Sequence, residues 1–213
     1  MKTPVLKANA KAIARASRII LRGGIAAFPT ETLYGLGAAA QDAGALKKVF
    51  QIKGREEHKP LLLLLADRTW VPGLVRKIPA VAEGLMENFW PGPLTLIFEA
   101  SPHLPLLLTG GTGKIGLRIS SHPVAQALVC KVGQAITGTS ANLSGQPGAS
   151  LASEVSRVLG GQVDVILDGG KTTGGPGSTV LDVTGERLQI IREGAVPRAQ
   201  LAVFLGEKIN FFS

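Results

Sequence analysis

The sequence predicts a single α/β domain built on a twisted mixed sheet, parallel and antiparallel, flanked by helices. Three observations lead there. Short apolar runs of strand length alternate with segments of helical spacing along all 213 residues. Some neighbouring runs have no helix between them, which a purely parallel sheet does not permit. No internal repeat and no linker-like shift in composition divides the chain.

Taken in order, Ala10, Ile13, Ala14, Ser17, Ile20 and Leu21 keep a 3–4 spacing after Asn9, a residue suited to an N-cap, and Gly23-Gly24 ends that helix. Residues 25–28 read as a buried strand that stops at Pro29. Asp42 is placed to cap a second helix whose apolar face is Ala45, Leu46, Val49 and Phe50. Residues 61–65 read as another buried strand. Val81, Leu85, Met86 and Phe89 mark a helix closed by Trp90-Pro91-Gly92-Pro93. Strands follow at 94–99 and 115–119, Pro123 fits the first turn of a helix running to Lys131, and 135–137 leads into a polar loop. Ser150 is placed to cap a helix carrying Leu151, Val155, Val158 and Leu159. Residues 163–167, 179–183 and 188–192 are the last strands, and a helix closes the chain after Pro197.

Composition bounds the function classes. Hydrophobic residues make up 45 % and charged ones 18 %, which excludes a disordered chain. The longest apolar run, residues 61–66, is far short of the roughly 20 residues of a membrane span. The segment Met1-Lys2-Thr3-Pro4-Val5 has no apolar signal core, so the protein is expected in the cytoplasm. One cysteine, Cys130, allows neither an internal disulfide nor a cysteine metal site, and its neighbours Ala127, Leu128 and Val129 place it in the core. The formal net charge is +8, and residues 1–60 hold eleven Lys or Arg against four acids. An excess confined to one part of the chain points to an anionic partner, nucleotide or RNA. Lys11, Arg15, Arg18 and Arg22 share the outer face of the first helix, as a solvated face or as a track for RNA phosphates.

Three motifs fail on context. Gly111-Thr112-Gly113-Lys114-Ile115-Gly116 matches the dinucleotide fingerprint but leads into a strand, where that fingerprint must open a helix. Gly170-Lys171-Thr172 lacks the earlier glycine of a P-loop, a position filled by Val165 inside a strand. Gly138-Thr139-Ser140-Ala141-Asn142 ends on Asn142 where a nucleophile elbow needs glycine. His58, His103 and His122 show no metal-ligand spacing and read as surface or turn residues.

Four other segments join glycine turns to hydroxyls or cations. They are Phe28-Pro29-Thr30-Glu31-Thr32-Leu33-Tyr34-Gly35-Leu36-Gly37; Lys53-Gly54-Arg55 with the residues up to Leu61; Thr139-Ser140-Ala141-Asn142-Leu143-Ser144-Gly145; and Gly177-Ser178-Thr179-Val180-Leu181-Asp182 with Arg192 beyond it. Any one of them is ordinary turn chemistry. Four in one chain, mostly after predicted strands, indicate an anion site: glycine admits close backbone approach, hydroxyls hydrogen-bond, and Lys or Arg neutralises phosphate.

The ordered set resembles the threonylcarbamoyl-AMP synthase family, of the YrdC/Sua5 type in its short single-domain form. The resemblance rests on the first segment, on Lys53-Gly54-Arg55 as the family's Lys-x-Arg, and on Ser140-Ala141-Asn142 as its Ser-x-Asn. It runs from about residue 10 to 197 and includes Gly116-Leu117-Arg118-Ile119 and Ser178-Thr179-Val180-Leu181-Asp182, leaving 198–213 as a tail of one 1–213 domain. It implies a YrdC-like fold with a concave, positively charged cleft. It also implies an L-threonylcarbamoyladenylate synthase that joins L-threonine, bicarbonate or CO2, and ATP, releasing pyrophosphate. The product would serve threonylcarbamoyl-adenosine modification of tRNA, through a transient contact with a downstream tRNA threonylcarbamoyl-transferase complex. Direct contact with tRNA or double-stranded RNA is a further expectation.

By motif position, Lys53, Arg55, Ser140, Asn142 and Arg192 are the expected ATP ligands, with Lys53 and Arg55 catalytic. Thr30, Tyr34, Arg118, Thr139 and Ser178 are the expected threonine ligands, Arg118 pairing the carboxylate. Mg2+ is expected to travel with ATP, and no protein metal site is expected. Such chemistry suits a site rich in cations and hydroxyls, because the carbamate nucleophile is already an anion. The chain departs from many relatives at Glu56, where proline follows the Lys-x-Arg, at Gly177, where glutamate precedes the Ser-Thr-Val, and near Leu64, where some have histidine. The competing readings are a non-catalytic RNA-binding module and a divergent paralogue.

Overall fold

A computed structural model describes residues 2–206. In chain order the elements are β1 (Val5–Lys7), α1 (Ala10–Leu21), β2 (Ala26–Pro29), β3 (Tyr34–Gly37), α2 (Ala43–Lys53), β4 (Leu62–Leu64), a 3-10 turn (Arg68–Gly73), α3 (Ala80–Phe89), β5 (Leu94–Glu99), α4 (Leu106–Thr109), β6 (Lys114–Arg118), α5 (Pro123–Val132), β7 (Ile136–Thr137), β8 (Thr139–Ser140), α6 (Ala152–Leu159), β9 (Val165–Asp168), β10 (Thr179–Asp182), β11 (Gln189–Arg192) and α7 (Arg198–Leu205). Part of the expected 198–213 tail is thus a helix; residues 207–213 lie outside the described residues.

The mixed sheet is present as two sheets. One runs β1-β9-β2-β3-β8, with β9 parallel to β1 and β2 and with β2/β3/β8 antiparallel. The other runs β11-β10-β5-β6-β4-β7, with β5/β10 and β4/β6 parallel and the rest antiparallel. The chain crosses from the second sheet to the first at Gly138, between β7 and β8. A Cβ there would lie 2.6 Å from Leu64 Cγ and 2.8 Å from Leu62 Cδ1, so only glycine lets the backbone pass that close to β4.

Helix boundaries follow the caps read from sequence. Asn9 and Asp42 each accept the third backbone N–H of their helix at 2.9 Å, a contact worth about 1 kcal/mol. Pro123 opens α5 after His122, whose Nδ1 accepts from Val124 N at 3.2 Å. At α6 the structure differs: Ser150 is not the cap. The helix starts one residue later, after Leu151, and the Glu154 carboxylate accepts the Ser150 and Leu151 N–H groups at 2.7 and 3.2 Å. A carboxylate on the first turn does the capping that a serine hydroxyl was expected to do. Cys130 is exposed rather than in the core, because Ala125, Leu128, Val129 and Val132 take the buried face of α5.

Packing explains the uninterrupted apolar runs. Ala26 and Phe28 of β2, with Val165 and Leu167 of β9, pack under α1 and α5; Ala27 and Ile166 turn into the other core. Both faces of that sheet are covered, so alternation disappears from its sequence. In the second sheet Leu63, Leu96, Phe98, Ile115, Leu117 and Leu181 are fully buried on one face, each contributing roughly 1.5–3 kcal/mol. The alternate residues face the other way, and there the site lies.

Candidate active site

Period-two alternation puts Leu62, Thr95, Ile97, Gly116, Arg118 and Val180 on one face of the second sheet. They line a cleft of about 330 Å³, a size suited to small ligands. Its other wall is the β2–β3 turn and β3, with Thr139 and Ser140 of β8; Arg55, Ser178 and Arg192 complete the lining. The segment from Phe28 to Gly37, read as a glycine loop, is a hairpin whose turn is residues 30–33.

Of the ten expected site residues, the cleft brings together eight: Thr30, Tyr34, Arg55, Arg118, Thr139, Ser140, Ser178 and Arg192. Lys53 and Asn142 do not line it. Gly54 takes a left-handed conformation (φ 56°) that caps α2 and separates its neighbours: Arg55 enters the cleft and Lys53 turns behind the wall. The Lys53 ammonium donates to Ser140 O at 2.5 Å, to Asn142 O at 3.0 Å and to Asn142 Oδ1 at 3.4 Å. Its three donors are therefore spent on the loop that presents Ser140. Asn142 donates its amide to Leu143 O and Gln146 O at 2.8 and 2.6 Å, fixing the same loop. Burial, with a smaller push from Arg55, brings the Lys53 pKa down to about 8.

Two threonine-side candidates also have their hydroxyls occupied. Thr30 Oγ1 donates to Leu33 O at 2.7 Å and accepts from Thr32 N and Leu33 N, which makes it the pin of the hairpin turn. Tyr34 is fully buried; its hydroxyl donates to Gly170 O at 2.8 Å and accepts from Gly169 N at 3.3 Å. Burial pushes its pKa up to about 12, so it stays a neutral donor tying β3 to the 168–170 loop.

Three guanidinium groups dominate the cleft. Arg55 is half-buried and donates to Lys59 O at 3.4 Å and Pro60 O at 2.9 Å. Arg192, at the exposed mouth, donates to Ser178 O at 2.7 Å and Ser178 Oγ at 3.3 Å. Arg118 is 3 % exposed, its pKa lowered by burial despite the opposing Glu31 charge. The charge of Arg192 adds to the burial cost at both Arg55 and Arg118. No Asp or Glu is among the lining residues. Such an arrangement is relieved by an anion, and an anionic ligand with two charged ends would satisfy all three.

Sequence reasoning missed Thr95, whose hydroxyl shares a 2.9 Å hydrogen bond with Ser178 Oγ, and the Glu31–Ser120 pair behind Arg118. It also missed how Arg192 is held. Thr179 Oγ1, fully buried, donates to Val196 O at 2.6 Å and accepts from Gly194 N at 2.9 Å and Val196 N at 3.1 Å, anchoring the turn after β11. Thr179→Val is expected to lower the free energy of unfolding by about 2–4 kcal/mol, because it strands these buried groups. Urea denaturation checks this; a loss below about 1 kcal/mol would show that the turn repairs itself.

The Sua5_yciO_yrdC family model, described as "Telomere recombination", matches residues 18–194. A threonylcarbamoyl-AMP synthase of Pyrococcus abyssi is 38% identical over 192 residues, 90% of this chain and 56% of the relative. A Bacillus subtilis protein of the same name is 38% identical over 205 residues, 96% of this chain and 59% of the relative. The chain thus spans less than two thirds of the length of these relatives. The crystal structure of P. abyssi Sua5 complexed with L-threonine superposes with a TM-score of 0.93 at 35% identity, covering 99% of this chain and 62% of that one.

Proposed function

The chain belongs to the Sua5/YciO/YrdC family, and from that premise we propose that it makes threonylcarbamoyl-AMP from L-threonine, bicarbonate and ATP. The observation that carries the reading is the convergence of Arg55, Arg118 and Arg192 with the hydroxyls of Thr139, Ser140 and Ser178 on one cleft. Bicarbonate takes up a proton and loses water to give CO2, and the threonine amine joins that CO2 in a new N–C bond and loses a proton. An oxygen of the resulting carbamate then attacks the α-phosphorus of ATP, and the bond to the β-phosphate breaks as pyrophosphate leaves. Neither step needs a protein nucleophile; both need the anions held together and their charge neutralised.

In this reading Arg55 and Arg192 hold the phosphates with Ser140, while Arg118 pairs the threonine carboxylate beside Thr139 and Ser178. Lys53 and Asn142 act from behind, by shaping the Ser140 loop; Thr30 and Tyr34 act by shaping the opposite wall. Among the described residues no group of three or more His, Cys, Asp or Glu side chains stands ready to hold a metal. Magnesium would come with ATP, bound through phosphate and water, and add to the neutralisation of charge. No described helix is long and apolar enough to cross a membrane. A cytoplasmic enzyme, handing its product to a tRNA threonylcarbamoyl-transferase complex, completes the proposal.

The reading is tested by following radiolabelled bicarbonate into a product that also carries AMP. Label retained only when both threonine and ATP are present supports it. Label retained without threonine would move the activity to another acceptor.

A further inference from the structure

We propose that Glu31 and Ser120 form a stand-off counterion for Arg118: a carboxylate close enough to neutralise the guanidinium but held too far away to occupy its donors. The inference rests on the assignment of the threonine carboxylate to Arg118 and adds two positioning residues to it. Arg118 Nε and Glu31 Oε1 are 3.8 Å apart, beyond the 2.7–3.2 Å of an N–H···O bond. Neither atom has a hydrogen-bond partner among the described residues, and both are shut off from solvent. A buried cation with no counterion is costly, whereas one in a direct bidentate pair has given two of its five N–H donors and much of its charge to that pair. The observed spacing avoids both.

The gap is held open from Glu31's other oxygen. Ser120, 3 % exposed, donates its hydroxyl to Glu31 Oε2. The direction of that bond follows from the carboxylate, which can only accept, and the His122 backbone N–H donates to Ser120 Oγ at 3.2 Å. The backbone of Glu31 is fixed as well: Thr30 Oγ1 pins the turn, and Thr173 Oγ1 donates to Glu31 O at 2.6 Å. Arg118 lines the cleft, and its terminal amino groups donate no hydrogen bond to a described residue.

Removing the Ser120 hydroxyl frees Glu31 to close onto Arg118 and compete with the substrate carboxylate. The test is calorimetric binding of L-threonine, ATP and L-threoninol, which lacks the carboxylate, to the wild type, Ser120→Ala and the Ser120→Ala/Glu31→Gln double variant. Ser120→Ala is expected to weaken L-threonine by about tenfold or more while ATP and L-threoninol move less than about threefold. The double variant should recover most of that loss, because a neutral amide does not capture the guanidinium. Wild-type affinity in Ser120→Ala, equal losses for all three ligands, or a double variant weaker than the single one would overturn the proposal. A wild type that binds ATP but not L-threonine would instead overturn the substrate assignment on which it stands. Should Ser120→Ala fail to fold, a folded double variant that binds L-threonine within about threefold of wild type supports the proposal, and one that loses it overturns it.

Discussion

Arg118→Ala is expected to cut threonine-dependent pyrophosphate release by about two to three orders of magnitude and to leave ATP affinity nearly unchanged. Arg118 is buried at the cleft floor, with its counterion 3.8 Å away and its terminal amino groups unbonded among the described residues. A substrate carboxylate would there gain a desolvated, charge-assisted pair, and truncating one member of such a pair costs about 2–5 kcal/mol. Glu31 keeps its bond from Ser120 in the variant, so the fold is expected to survive, as circular dichroism would show. The loss should fall on the KM for threonine. A rise confined to the KM for ATP would mean that the two sub-sites are exchanged.

The second large effect separates Lys53 from Arg55, although both belong to one motif. Arg55→Ala removes a cleft cation and should lower turnover by about 10²–10³ with little change in thermal stability. Lys53→Met takes the donor from Ser140 O and Asn142 O, so it should cost about 2 kcal/mol of stability as well as activity. Its signature is in the pH dependence. The Lys53 pKa is about 8 in the folded protein, against 10.5 for an ordinary lysine. Between those values the folded state holds fewer protons than the unfolded one, so wild-type stability gains from this residue as pH rises, by at most about 1.4 kcal/mol per unit. The stability deficit of Lys53→Met should therefore be smallest below pH 8 and widen towards pH 10. Parallel stability profiles for the two proteins would show that Lys53 is not the buried ammonium described here.

Much of this was legible in the sequence, for local reasons. Asn9, Asp42 and Pro123 sit where helix ends need them; the cleft hydroxyls with Arg55 and Arg192 came from segments marked by glycine, and Arg118 came from the family resemblance. What escaped depends on direction rather than identity. Strand β3 reads as a loop because Gly35 and Gly37 depress strand propensity. Thr95 escaped because the apolar run of β5 does not reveal which face meets helices and which meets a ligand. Lys53 and Arg55 look equivalent in sequence, and only the left-handed Gly54 turns one inward and the other out. The Glu31–Ser120 contact joins residues 89 positions apart, a pairing set by two sheets meeting and not by any local pattern.

The most direct test of the central claim is pyrophosphate release from ATP by the wild-type protein, with threonine and bicarbonate omitted in turn. Release that requires both is the predicted result and establishes adenylation of a threonine carbamate. Release that persists without threonine, or no release from a folded protein that binds RNA in a salt-sensitive way, would contradict it.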